Sequence, residues 1–142
     1  MCVCECVVCL LTYQLIARPT THPPAALAIT DSIWPIISNP EAIAVNQDYF
    51  GFSGSSFFKA TGKYYFYKPM SWDNKKAAVL LINTDTASED LAFSFSDVPG
   101  LVGNVCDVRD IWARKDLGSA TGSYTVSQVS QHDSAFLMLT CS

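Results

Sequence analysis

Trp34-Pro-Ile-Ile-Ser-Asn-Pro-Glu-Ala-Ile-Ala-Val-Asn-Gln-Asp48 is the stretch where helical patterning ends and a run of short strands begins. Thr30 or Asp31 can cap a helix start, with Ile33, Trp34, Ile36 and Ile37 forming its apolar face. Pro35 falls within the first turns, where its missing N–H does least harm. Asn39, Pro40 and Glu41 form a second start signal: an Asn cap, Pro at the first helical position, and an acid near the positive end of the helix dipole. Ala42, Ile43 and Val45 supply the buried side of this second short helix. The stretch reads as a join between two domains.

From Tyr49 onward the apolar pattern has period two. Gly51 and Gly54 mark a loop, and residues 56–60 read as a strand. Thr61-Gly62 is a turn into residues 63–68, so the two runs suggest a hairpin. Ser71-Trp-Asp-Asn74 makes the next turn. Lys76-Ala-Ala-Val-Leu-Leu-Ile-Asn83 is apolar on both faces, as expected of a central strand covered on two sides. After a turn at 85–88, residues 91–96 alternate cleanly and bury Leu91, Phe93 and Phe95. Pro99-Gly100 ends that strand. A strand over 105–112, a polar turn around 115–118, and strands over 123–129 and 135–140 complete the set. Seven or eight short strands between turn clusters predict an antiparallel β-sandwich, preceded by one or two short helices.

The chain has 142 residues, enough for one domain with a real core and too few for a complete (β/α)8 enzyme of roughly 250 residues. Hydrophobic residues make up 49% and charged residues 15%, which argues against disorder. With a net charge of -4 and no basic run, a nucleic-acid groove is not expected. Lys63, Lys68, Lys75 and Lys76 are scattered and read as a solvated sheet face. The apolar run over 7–17 has a poor likeness to a signal-peptide core: Glu5 precedes it in place of Lys or Arg. It is also shorter than the roughly 20 residues of a membrane span. Pro23 and Pro24 make 20–24 an extended linker. Residues 1–24 are expected to be a leader outside the native domain.

Four cysteines, Cys2, Cys4, Cys6 and Cys9, crowd the first residues, but their spacing lacks the second ligand pair of a structural zinc site. Cys106 and Cys141 are compatible with a disulfide in an oxidising compartment and equally with two small buried hydrophobes. For nucleophilic catalysis the chain offers His22, in the linker, and His132, in a His132-Asp133-Ser134 turn without an oxyanion-hole glycine loop. Asp107 and Asp110 are three apart in a strand and point to opposite faces, so they cannot easily share a glycoside. Asp107, Arg109 and Trp112 read as a strand with a partly exposed charged face. Asp31, Glu41 and Asp48 sit at helix ends, where capping is the ordinary role. Tyr65, Tyr67, Trp72 and Trp112 could form a sugar-stacking platform, yet core packing is favoured because aromatics are enriched in strands and inter-sheet cores. No residue is assigned as catalytic, substrate-binding or metal-ligating, and no cofactor is implied.

The stretch from Trp34 to Asp48 strongly resembles the segment that closes the catalytic barrel of α-galactosidases and α-N-acetylgalactosaminidases. Residues 76–83 resemble the central strand of the family's C-terminal domain. Val108-Arg-Asp-Ile-Trp-Ala-Arg-Lys-Asp-Leu-Gly118 resembles a motif of that domain, and residues 132–140 resemble its ending. The resemblance covers about residues 27–140. It implies a retaining glycoside hydrolase that releases terminal α-linked galactose, with one Asp as nucleophile and another as acid/base on earlier barrel strands. Neither motif carrying those residues occurs in this sequence. The expected organisation is therefore a leader over 1–24, a remnant of the barrel end over 25–48, and a C-terminal sandwich over 49–142. This makes the chain a fragment, inactive alone, with α-galactosides as the parent enzyme's substrates and its own barrel as intramolecular partner. Neither nucleic acid nor membrane is expected as a partner. The family suggests a secreted, lysosomal or vacuolar setting. The alternative is a free-standing carbohydrate-binding or protein-interaction sandwich.

Overall fold

The computed structural model describes residues 34–48 and 52–142. The expectations for the leader, the Cys2–Cys9 cluster, His22, Asp31 and Ile33 lie outside the described residues. Helices α1 (Trp34–Ile37) and α2 (Pro40–Gln47) come first. Eight described strands follow: β1 (Ser55–Ala60), β2 (Lys63–Pro69), β3 (Lys76–Asn83), β4 (Glu89–Ser94), β5 (Val105–Asp110), β6 (Lys115–Thr121), β7 (Ser123–Val129) and β8 (Ser134–Cys141). One sheet has six strands in the order β1-β2-β3-β8-β5-β6, and β4 pairs with β7 in a second sheet of two. All pairings are antiparallel. The antiparallel sandwich expected from the turn spacing is present.

Alternation along β3 sorts its side chains into two cores. Ala77, Val79 and Leu81, with Leu137 and Leu139 of the neighbouring β8, face the small sheet, where they meet Leu91 and Phe93 of β4 and Val129 of β7. Ala78, Leu80 and Ile82 face the other way, against Ala42 and Val45 of α2, Ile111 and Phe136. Every residue of β3 after Lys76 is buried, as a strand covered on both faces must be. The β1–β2 hairpin also forms as expected, with Ala60 opposite Lys63 and Gly62 at a φ of 78°, where a side chain would be strained.

Two expectations need correction. The polar segment at 115–118 is not a turn but the start of β6. The chain reverses earlier, at 111–114, where Asp110 Oδ1 accepts from the Ala113 N–H at 2.9 Å and Arg114 takes a φ of 55°. Strand β6 is an outer edge with almost every residue exposed, so it carries no apolar alternation to read. Gly118, at a φ of 92°, lies at an irregularity in its pairing with β5. The strand expected over 91–96 ends at Ser94, and Phe95–Asp97 is one turn of 3-10 helix. Phe95 is buried as expected, because that turn keeps its ring against Phe93, with centroids 6.0 Å apart.

Candidate functional site

The densest polar constellation among the described residues lies where α2 meets the outer face of the large sheet. Asn39 caps α2 as its sequence predicts: Oδ1 accepts from the N–H groups of Glu41 at 2.9 Å and Ala42 at 3.2 Å. Its amide turns the other way and donates to the Ile111 carbonyl at 2.8 Å. One buried side chain thus serves both the helix and the sandwich. Glu41 does more than complement the dipole. Arg109 grips it in parallel, Nε to Oε2 at 2.9 Å and Nη2 to Oε1 at 2.8 Å.

Arg109 also donates from Nη1 to Asp116 at 2.7 Å and from Nη2 to the Arg114 carbonyl at 3.0 Å. It therefore ties β5, the following turn, β6 and α2 together. The Arg109 hydrogen bond holds the Glu41 carboxyl below the ordinary glutamate range. Reciprocally, its bonds to Glu41 and Asp116 raise the guanidinium pKa. Solvent reaches these side chains and screens the ion pairs, so they set the geometry of the joint more than they stabilise it. At the other end of α2, Lys68 Nζ donates to the carbonyls of Val45 at 2.6 Å and Asp48 at 3.0 Å. Lys68 is a helix C-cap rather than part of a solvated sheet face. Lys63 pairs with Glu89 at 3.3 Å, while Lys75 and Lys76 are exposed.

The other candidate groups are dispersed. Asp107 accepts from Ser119 Oγ, and Asp110 holds the 111–114 turn, so the two carboxylates have separate local partners. His132 occupies an exposed turn at a φ of 55°, and the Asp133 carboxylate accepts from the Ser134 N–H at 2.7 Å. The four aromatics do not share a platform. Tyr65 and Tyr67 belong with the inter-sheet core, whereas Trp112 packs on Phe136 across the large sheet, centroids 5.3 Å apart. Burial is also what raises the Tyr65 hydroxyl pKa. Trp72 stands on a loop and is 80% exposed. Cys106 and Cys141, left open by sequence, face each other across β5 and β8 as a disulfide. No group of three or more His, Cys, Asp or Glu among the described residues is placed to hold a metal ion.

Sequence reasoning missed Asn83 and underrated Arg109. Asn83 is fully buried: Nδ2 approaches the carbonyls of Ala87, Val129 and Ser130 at 2.8–3.0 Å, and Oδ1 accepts from the Asp85 N–H at 2.9 Å. An Asn ending an otherwise apolar strand was the available signal.

These features define an antiparallel β-sandwich domain with a helix locked to its outer face, whose carboxylates are engaged in local structure. Residues 61–139 match the family described as the alpha galactosidase C-terminal beta sandwich domain. The chain belongs to that family. It is 31% identical over 113 residues to an α-galactosidase of Cyamopsis tetragonoloba, covering 80% of this chain and 27% of the relative. An α-galactosidase of Oryza sativa subsp. japonica is 35% identical over 106 residues, covering 74% of this chain and 24% of that protein. The crystal structure of α-galactosidase I from Mortierella vinacea superposes with a TM-score of 0.68 at 25% identity, covering 80% of this chain and 30% of that one. The chain thus spans about a quarter of the length of the curated relatives it matches.

Proposed function

We propose that this chain supplies the C-terminal sandwich of an α-galactosidase-type glycoside hydrolase, whose reaction is hydrolysis of terminal α-linked galactose, and that alone it does not catalyse that reaction. The match of residues 61–139 to the family's C-terminal domain carries this reading. The engagement of Asp107 and Asp110 in separate turn and strand contacts supports the inactivity, because a glycosidase needs two carboxyl groups facing one bond.

The sandwich acts by covering and bracing the catalytic barrel. Six strands at about 4.8 Å spacing make a face about 24 Å wide. A helix about 10 Å across covers less than half of it. Around α2 lie the half-buried Tyr64, Phe66, Met70, Trp112 and Met138, an apolar margin suited to a larger neighbour. On this reading a preceding catalytic barrel is the neighbour that would cover it. The disulfide agrees with folding in an oxidising compartment, as for a secreted, lysosomal or vacuolar enzyme.

An aryl α-galactoside assay on the purified chain tests the reading. The expected rate equals the buffer background, and turnover that co-purifies with the chain on two separate columns would refute the inactivity.

A further inference from the structure

Helix α2 is held at more points than a linker requires. Its floor is apolar: Ala42 and Val45 are buried against Ala78, Leu80, Ile82, Ile111 and Phe136. Its N-terminal end is fixed by Asn39, which is 5% exposed, and by the parallel bonds between Glu41 and Arg109. Its C-terminal carbonyls accept from Lys68. All the groups that receive α2 come from β2, β3, β5, β8 and the 111–114 turn, elements that the large sheet already fixes relative to one another. Helix α1 offers the contrast. It buries no residue, and Ser38 returns both its N–H and its hydroxyl to the Trp34 carbonyl within the same turn.

An isolated helix of eight residues is unstable in water, since the cost of nucleation is spread over too few hydrogen bonds. Its folding free energy must come from what it touches. We propose that the outer face of the large sheet is a preformed cradle for α2, so that α2 belongs to the sandwich's cooperative unit and the joint with any preceding domain falls at residues 37–39. This shifts the working boundary from residue 48, where the change in periodicity placed it. It deepens the glycosidase reading by making α2 the element through which the sandwich would grip a barrel. The cradle itself depends only on contacts within this chain.

Amide hydrogen exchange on the full chain tests the cradle without any glycosidase measurement. The Ile43 N–H bonds to the Asn39 carbonyl and the Asp48 N–H to that of Ala44, so both report on α2. Their protection is expected to lie within about tenfold of that of the β3 amides, because amides of one cooperative unit exchange through the same opening. Arg109→Lys, which loses the parallel geometry, and Lys68→Met, which loses the C-terminal cap, should each lower α2 and β3 protection together, by about tenfold, as contacts within one cooperative unit must. Lys68→Met keeps the test available if Arg109→Lys does not fold. Exchange of α2 at the rate of α1 in the parent chain would overturn the proposal. So would a fall in α2 protection that leaves β3 unmoved, or no fall in either, in the folded variants. Galactosidase turnover in this chain would refute the inactivity while leaving the cradle intact.

Discussion

Asn83 shows how much of the sandwich can depend on one polar side chain. It ends β3 in a fully buried position, and its amide reaches the carbonyls of Val129 and Ser130, at the end of the β7 segment in the opposite sheet. Two amide hydrogens serve three carbonyls, and the side-chain oxygen takes the Asp85 N–H, so nothing on this side chain is idle. Asn83→Ala would leave the buried Val129 carbonyl without this donor at about 1–3 kcal/mol. It would cost less at the part-buried groups of Ala87, Asp85 and Ser130, the last of which still accepts from the Asp133 N–H. The expected loss is about 2–4 kcal/mol, read as a lower urea midpoint at unchanged slope. A loss below about 0.5 kcal/mol, the scatter of ordinary surface substitutions, would remove Asn83 from this role. Its partners lie 46 and 47 residues away, which is why sequence patterning could mark the residue as a strand end and nothing more. Arg109 was obscured for the same reason. The carboxylate it grips at two points, Glu41, is 68 residues away.

Elements were legible in proportion to how strictly burial constrains them. Strand β3, apolar on both faces, and β4, alternating through Leu91 and Phe93, were readable because a shift of one residue would expose the core set. Edge strand β6 has no such constraint, and its polar residues were taken for a turn. The sandwich was therefore legible, whereas the locked helix was only half so: Asn39 announced α2, but its receptor is assembled from distant strands. Register likewise decides the cysteines. Strand β8 places Cys141 opposite Cys106, closing a loop of sequence separation 35 at the last residue of the final strand. Closing such a loop in the unfolded chain contributes about 2–4 kcal/mol of stability. Urea unfolding of the Cys106→Ala/Cys141→Ala double variant should show a loss of that size against the oxidised parent. Equal stability of the two would mean that the bond constrains nothing the sheet does not already hold.

At the scale of the whole molecule the two faces of the large sheet are unequally covered. The inner face has a second sheet and a continuous core, while the outer face has one short helix and a half-buried apolar margin. The same imbalance continues into α1, where Trp34 is 57% and Ile36 39% exposed. A net charge of -4 over 142 residues gives little repulsion to keep such surfaces apart. The isolated chain should therefore self-associate as its concentration rises, with the weight-average mass increasing in sedimentation runs across the micromolar range. Because α1 buries no residue, its apolar side chains contribute to association without contributing to the fold. The Trp34→Lys/Ile36→Glu double variant should then sediment closer to the monomer while its unfolding free energy stays within about 0.5 kcal/mol of the parent. Unchanged association in that variant would place the sticky surface elsewhere, on the margin of Tyr64, Phe66 and Met138. A large loss of stability would instead mean that α1 is held by the sandwich as α2 is, and would push the joint further toward the N-terminus.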